Sequence, residues 1–305
     1  MVSRVTRTSS RELNMTRLYR TILYILIVAL TTTAARGQAP AFHLAFNLET
    51  PRVSLLEPVY VTVTVDNQSE EIIQGNFDRG TYAYVITGPD RTVTRAVGFR
   101  APAIPQYFNP DGDNGPLPQL LARPHQTATV KLLLNESYAF RAPGTYRIEI
   151  QPITQFRTAY FAGRSELVVS DGKPVQPSVR GNSIVVQIDP RDESRLRSTC
   201  AKLAEDSLKS DWAARRQAAL TLSYIEDPIA VPFLKRVLKE GEGTSIPDYA
   251  VDGLVRIATL ESVNALVDAA RTNTSLQSRI RAGLQIVELT TKDERVKAQI
   301  RAFER

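Results

Sequence analysis

The chain has 305 residues, more than one hydrophobic core usually supports, so we expect two folded domains. Its formal net charge of +6 and pI of about 9.5 would suit a nucleic-acid-binding protein. However, residues 1–39 alone contain six arginines and one glutamate, which leaves the rest of the chain close to neutral. Because that remainder lacks the basic stripe that phosphate binding needs, we expect no nucleic-acid partner.

Residues 1–39 have the features of a secretory signal peptide. Arg17 and Arg20 precede an apolar run over residues 22–30, and small residues follow it. The pattern predicts cleavage between Ala35 and Ala39 and a periplasmic or secreted protein. The run is much shorter than the roughly 20 residues of a spanning helix. An uncleaved membrane anchor is the alternative, and it would be the only route to membrane contact.

Residues 40–189 have the two-residue period of β-strands. Phe42, Leu44 and Phe46 alternate with polar or small residues, and so do the valines at 59, 61, 63 and 65. Similar short patterns occur over residues 82–86, 129–134, 146–150, 167–169 and 184–188. Several short strands without intervening helices predict an antiparallel β-sandwich.

Two stretches of this half resemble strands of bacterial immunoglobulin-like domains. They are Glu-Pro-Val-Tyr-Val-Thr-Val-Thr-Val-Asp-Asn, residues 57–67, and Ala-Pro-Gly-Thr-Tyr-Arg-Ile-Glu-Ile, residues 142–150. Between them lie Tyr-Ala-Tyr-Val-Ile, residues 82–86, and Gly-Pro-Asp, residues 88–90, and this order along the chain is similar to the BsuPI-type proteinase inhibitor domain. The resemblance implies an immunoglobulin-like sandwich, with Tyr146 as a tyrosine-corner residue whose hydroxyl bonds nearby backbone. It also implies protease inhibition through the sandwich loops as an alternative function.

A long irregular segment with six prolines covers residues 101–124. Loops of this length without secondary structure are usually functional or disordered. Tyr107 and Phe108 lie within it and are candidate anchors for a protein partner, although they could instead pack on the sandwich. Asp111 and Asp113 have the spacing of calcium ligands, but the rest of that motif fails, so we expect a turn and no metal site.

From residue 190 to residue 305 the period changes to that of α-helices. Three sets of mainly apolar residues follow the same offsets of 0, 4, 8, 11, 17, 20 and 24. The sets are Ala214, Ala218, Leu222, Ile225, Val231, Leu234 and Leu238; Ile246, Ala250, Leu254, Ile257, Val263, Leu266 and Ala270; and Leu276, Ile280, Leu284, Val287, Asp293, Val296 and Ile300. Each set predicts a pair of amphipathic helices that buries its apolar face only by stacking on its neighbours.

The first of these sets, over residues 215–234, resembles the HEAT repeat of the phycobilisome-lyase type. The resemblance implies that Asp227 and Pro228 form the turn between two helices, in agreement with their capping chemistry. Thr259 stands at the equivalent position of the second set and departs from that pattern. Such repeats are widespread protein-binding scaffolds, so the resemblance implies a protein partner. Lyase chemistry is not implied, because no chromophore-handling residues are visible.

The remaining chemistry-bearing residues form no recognisable catalytic motif. The single cysteine, Cys200, lies at helical spacing between Leu196 and Leu203, which predicts a buried apolar residue rather than a reactive thiol. His43 and His125 are distant in the sequence and form no metal-binding pair. Trp212 is expected to pack at the start of its helix.

The pattern as a whole favours an exported, non-enzymatic scaffold that binds a protein partner through its HEAT-repeat surface. No cofactor and no metal ion are expected. The alternative is a secreted protease inhibitor that acts through loops of the β-sandwich. An enzyme of unrecognised type is a third hypothesis, because catalytic groups can converge from distant positions of a sequence.

Overall fold

The chain divides into two units, Met1–Ala41 and Phe42–Arg305. The computed structural model describes residues 42–76, 82–97, 119–153, 156–162, 166–169, 175, 177–209, 211–241 and 244–304. The predicted signal peptide therefore lies outside the described residues. Within the described part of the second unit, strands occupy the chain up to Asp189 and helices follow from Glu193. This order confirms the prediction of a β-region followed by a helical region.

The β-region contains short strands with polar turns between them. They are β1 (Phe42–Leu48), β2 (Arg52–Ser54), β3 (Tyr60–Asn67), β4 (Ile72–Asn76), β5 (Tyr82–Thr87), β6 (Val93–Val97), β7 (Gln119–Ala122), β8 (Thr127–Leu133), β9 (Gly144–Pro152), β10 (Arg157–Ala162), β11 (Glu166–Val169), β12 (Ser178–Arg180) and β13 (Ser183–Asp189). The sheet orders are β12-β1-β3-β8, β11-β10-β4-β7 and β2-β13-β9-β5-β6. The longer strands pair antiparallel as predicted, whereas β12 pairs in parallel with β1 and β2 in parallel with β13.

Alternation along the strands builds the core of this region. Phe42, Leu44 and Phe46 on β1 are buried, as is every second residue of β3 from Val61 onwards. The rings of Phe46 on β1 and Tyr82 on β5 are 5.8 Å apart and edge to face, so these two sheets pack face to face.

The predicted tyrosine corner is confirmed. The Tyr146 hydroxyl donates to the Ala142 carbonyl at 2.9 Å. Between them, Gly144 has φ of +138°, and a Cβ there would lie 2.4 Å from the Cβ of Pro89. Only glycine accommodates both the positive φ and the close approach of Pro89.

The helical region is built from seven helices within the described residues. They are α1 (Glu193–Asp206), α2 (Trp212–Ser223), α3 (Val231–Glu240), α4 (Ile246–Ile257), α5 (Leu260–Thr272), α6 (Gln277–Thr290) and α7 (Glu294–Glu304). Helices α2, α4 and α6 contact one another in succession and form the A layer, while α1, α3, α5 and α7 form the B layer. The chain thus alternates between two layers, as stacked helix pairs require.

The predicted repeat register is confirmed by burial. All the apolar residues of the three sets are buried except Ala214, which is exposed, and Ile257, which is half-buried. Asp293, the polar exception, caps α7 by accepting from the Arg295 amide at 2.9 Å. Cys200 is buried as predicted, and burial raises the pKa of its thiol to about 12.

The turns between paired helices use side-chain caps. The Asp227 carboxylate accepts from the Ile229 amide at 2.9 Å, and Pro228 begins the 3₁₀ turn that leads into α3, as the resemblance implied. At the equivalent place before α5, Thr259 and Ser262 form a reciprocal capping box. The second repeat therefore keeps the turn with different residues.

Candidate protein-binding surface

The β-region is fixed to the helices by a buried carboxylate. Glu57, just before β3, is 5% exposed. It accepts hydrogen bonds from the Ser54 amide at 2.7 Å, from Nε of Arg195 at 2.9 Å and from Oγ1 of Thr199 at 3.2 Å. Arg195 and Thr199 both belong to α1. Because a buried charge is stable only with such partners, this contact specifies how α1 meets the β-region.

A second ion pair fixes the connection between the two regions. Arg191 follows β13 and binds Asp227 with two hydrogen bonds, at 2.7 and 3.0 Å. Burial by itself would raise the pKa of Asp227, but the bonds from Arg191 and the Ile229 amide lower it below its ordinary value. The connecting segment is thus bound to the turn between α2 and α3.

Apolar and aromatic contacts complete this junction. Leu133, at the end of β8, packs with Leu220 and Tyr224 near the end of α2. Beside them the Tyr60 hydroxyl donates to Oγ1 of Thr221 at 2.8 Å, and burial raises the pKa of that tyrosine to about 12. Strands β3 and β8 therefore cover the C-terminal end of α2.

One side of α2 carries a row of large side chains, which we call the α2 stripe. It consists of Trp212, Arg216, Leu220 and Tyr224, spaced four residues apart and hence on one helix face. Leu220 and Tyr224 are each 7% exposed beneath the sandwich, whereas Trp212 is 44% exposed. Trp212 lies at the start of its helix as expected, but its side chain is exposed there rather than packed. The sandwich covers only the opposite end of the stripe.

Two residues of α4 contact the α2 stripe. Nε of Arg216 donates to the Tyr249 hydroxyl at 2.8 Å. The guanidinium of Arg256 lies over the ring of Tyr224, 4.3 Å from its centroid, in a cation–π contact. These contacts hold two arginines in fixed positions beside two tyrosines on the A layer.

A charged cluster joins α4 to α6 on the same layer. Arg279 donates to both carboxylate oxygens of Asp252, each at 2.9 Å, and its Nε lies 3.7 Å from Asp248. Burial raises the pKa values of Asp248 and Asp252, and the nearby Arg279 opposes that rise without cancelling it. We call the surface formed by Trp212, Arg216, Tyr249, Asp252, Arg256 and Arg279 the A-layer surface.

The B layer has a different exterior. Some exposed charges there pair within their own helix, as for Arg236 with Glu240 on α3 at 3.1 Å, while Arg301 on α7 pairs with Glu288 on α6 at 2.7 Å. Exposed pairs of this kind contribute little and leave the surface solvated. The tryptophan and the tyrosines of the helical region, residue types that are enriched at interface hot spots, lie on the A layer, whereas arginines occur on both layers.

A cleft of about 280 Å³ lies between the sandwich and the first repeat. It is lined by Leu55, Leu56, Asn135, Ala139, Phe140, Arg141, Tyr224 and Glu226. Arg141 lies 3.8 Å from Glu226, and Asn135 accepts from the Val59 amide at 2.7 Å. These lining residues include no serine, cysteine or histidine that could act as a nucleophile or base.

The two candidate anchors from the sequence, Tyr107 and Phe108, lie outside the described residues, as do Asp111 and Asp113. Within the described ranges, no group of three or more His, Cys, Asp or Glu side chains is placed to hold a metal ion. No helix in the same ranges is long and apolar enough to cross a membrane. The spacing of the core residues does not predict the α2 stripe; its signal in the sequence is a second four-residue spacing, from Trp212 to Tyr224.

Comparison with known proteins identifies one repeat. Residues 214–240, which include most of α2 and all of α3, match the PBS lyase HEAT-like repeat. This match supports the predicted HEAT-type repeat. It covers a small part of the chain. No curated protein matches the sequence.

Several solved structures align with about half of the chain. One is a β-glucosidase from Listeria innocua with isofagomine, at 14% identity and a TM-score of 0.25, over 50% of this chain and 16% of that chain. Another is the CARDB domain of a Pyrococcus furiosus protein with di-metal ions, at 10% identity and a TM-score of 0.22, over 50% of this chain and 96% of that chain. A third is the alkylpurine DNA glycosylase of Pseudomonas fluorescens bound to DNA containing an abasic site analog, at 10% identity and a TM-score of 0.22, over 51% of this chain and 31% of that chain. Superpositions with these TM-scores identify neither a fold nor an activity for this chain. The comparisons therefore support a HEAT-like helical repeat at residues 214–240, similar to that of the PBS lyase group.

Proposed function

We propose that this chain is an exported, non-enzymatic scaffold that binds a protein partner through the A-layer surface of its helical repeats. The observation that carries the proposal is the α2 stripe. Its C-terminal end is covered by the chain's own sandwich, while Trp212 remains 44% exposed at the other end. An exposed tryptophan beside a fixed arginine is the composition typical of an interface hot spot.

The positions of the neighbouring residues support this assignment. Arg216 is held by Tyr249, Arg256 by Tyr224 and Arg279 by Asp252. Side chains that are already ordered lose less conformational entropy when a partner binds, so a preorganised surface gives higher affinity. Export is inferred from the leader in residues 1–39, with its basic residues, its apolar run and its small residues before Pro40.

The direct test is capture of partners from the periplasmic or secreted fraction of the source cells. The Trp212→Ala variant should lose the captured protein, with affinity falling by about thirtyfold for a typical hot-spot residue. Arg236→Ala on the B layer is the matched control and should bind like the wild type. Equal capture by all three proteins would refute the A-layer surface as the binding site.

The alternative, protease inhibition through the sandwich loops, needs a separate assay. A panel of secreted proteases should retain full activity in the presence of the chain. Replacing residues 103–118, which end just before β7, with a short Gly-Ser linker should leave partner capture unchanged. Loss of capture with an intact fold would instead assign binding to the segment of Tyr107 and Phe108, and inhibition would become the leading function.

A further inference from the structure

Strand β6 forms one edge of the sheet β2-β13-β9-β5-β6. It pairs with β5 over five consecutive residues without a bulge. Among the described residues, no strand pairs with its other side. The sequence of β6, Val-Thr-Arg-Ala-Val, also lacks proline. Bulges and prolines are two devices that protect sheet edges from further pairing, so β6 is an edge that another strand could join.

The hairpin geometry determines which backbone groups of β6 face outwards. The Gly88 amide donates to the Thr92 carbonyl at 2.9 Å. Because hydrogen-bonded and non-hydrogen-bonded pairs alternate along antiparallel strands, the next residue, Val93, belongs to a non-hydrogen-bonded pair. Val93, Arg95 and Val97 therefore direct their N–H and C=O groups away from β5. Residues 94 and 96 direct theirs towards it.

The same three residues carry the side chains on the outer face of the sheet. Val93 is 66% exposed and Val97 is 58% exposed, and both are large apolar side chains. Arg95, between them, is exposed and forms no ion pair with another described residue. The edge thus presents a cation flanked by two apolar side chains, all on one face because they alternate along the strand.

We propose that β6 is a docking edge for an extended segment of a partner protein. The segment adds antiparallel to β6, with its backbone bonded to the outward groups of Val93, Arg95 and Val97. It places a carboxylate opposite Arg95 and apolar side chains opposite the two valines. Backbone hydrogen bonds give such strand addition its affinity, and the facing side chains give its selectivity. This site is independent of the A-layer surface proposed above.

A second copy of this chain is a poorer occupant of the same edge. Antiparallel pairing of two β6 strands over all five residues places Arg95 opposite Arg95 of the other copy. Like charges directly opposite one another destabilise a strand pair. Other registers separate the two arginines, but fewer residues of the two strands then pair with each other. The charge pattern therefore favours an acidic partner segment.

The test uses the full chain and a fluorescent peptide with the sequence Ser-Val-Thr-Glu-Thr-Val-Ser. Fluorescence anisotropy should show that this peptide binds about two- to fivefold more tightly than a peptide with lysine in place of glutamate. Arg95→Glu should reverse that preference. Arg147→Glu, on the same face of the central strand β9, should leave it unchanged.

A backbone variant gives an independent test. Arg95→Ala removes only the cation, whereas Arg95→Pro also removes an outward N–H and leaves the hydrogen bonds to β5 intact. The hairpin should therefore persist in both variants, and Arg95→Pro should bind the glutamate peptide at least about fivefold more weakly than Arg95→Ala. Thermal melting reports whether the fold is retained. The proposal is overturned if the wild type binds neither peptide, or if Arg95→Glu does not change the preference. It is also overturned if the chain forms a dimer that Arg95→Pro dissociates, since the edge would then serve self-association.

Discussion

Replacing Leu254 with alanine should destabilise the helical region strongly. Leu254 is fully buried in the middle of α4, among the residues that join the A and B layers. Leucine-to-alanine changes at such sites cost about 2–5 kcal/mol, depending on how far the structure can close the cavity. The magnitude therefore depends on whether α4 can move towards its neighbours.

Gly253 indicates that α4 cannot move closer. A Cβ built on this glycine would lie 3.0 Å from the Cα of Ser223 on α2 and 3.0 Å from the Leu234 side chain on α3. The helix backbones are thus already near contact beside Leu254, and the cavity would remain open. We expect a loss of at least about 3 kcal/mol, which lowers Tm by about 6–12 °C in a protein of this size. Leu254→Asp should be more severe, because an unpaired carboxylate would be buried.

The assay is urea and thermal unfolding followed by circular dichroism at 222 nm, which reports the helices. Leu289→Ala is the matched control: it removes the same atoms from a leucine on α6 that is 86% exposed, and it should change stability by less than about 0.5 kcal/mol. Equal losses for the two variants would show that the repeat register and the packing of α4 are wrong.

Three further predictions concern the junction and the β-region. Glu57→Ala should cost about 1–3 kcal/mol in urea unfolding, because it leaves a buried amide unpaired and removes the acceptor of Arg195. Gly144→Ala should lower the thermal midpoint through a cost of about 1–3 kcal/mol, since the positive φ and the approach of Pro89 both oppose a side chain. The lowered pKa of Asp227 stabilises the fold above the pKa of the unfolded state, and this stabilisation is lost as pH falls through the folded-state pKa. Urea midpoints should therefore show Asp227→Asn less stable than wild type at pH 7, with a smaller difference at pH 3.

Among the strands that alternation predicted, β1 and β3 bury one face most clearly. β6 was missed, because Val93, Thr94 and Arg95 are all exposed and an edge strand without a buried face has no alternating sequence. β2 was missed because three residues are too few to show a period. Alternation therefore detects burial, and only indirectly the backbone pairing of a strand.

The helical repeats were predictable because their packing is local and periodic. The spacing of apolar residues predicted the helix pairs, and Asp227 with Pro228 predicted the turn between α2 and α3. The cap at Thr259 was missed because its partner is Ser262 rather than the usual glutamate or glutamine. The assignment of Tyr107 and Phe108 as anchors stays a prediction.

The junction could not be predicted because its partners are remote in the sequence. Glu57 and Arg195 are separated by 138 positions. Either residue alone is typical of a solvated surface, and only tertiary packing turns Glu57 into a buried acceptor. Sequence periodicity carries no information about pairs of this kind, which have neither a fixed spacing nor a common element.

The junction also gives the sandwich a role in the stability of the repeats. Repeat stacks need polar or covered ends, since a terminal unit otherwise exposes the apolar face that its neighbour would bury. Leu220 and Tyr224 lie outside the core cluster of the repeats and form a small buried cluster with Leu133 of the sandwich. Leu133 and Tyr60 of the sandwich cover them, so the β-region serves as a cap for the first repeat. Because that cap ends before Trp212, the proposed partner would contact the uncovered part of the α2 stripe without displacing the sandwich.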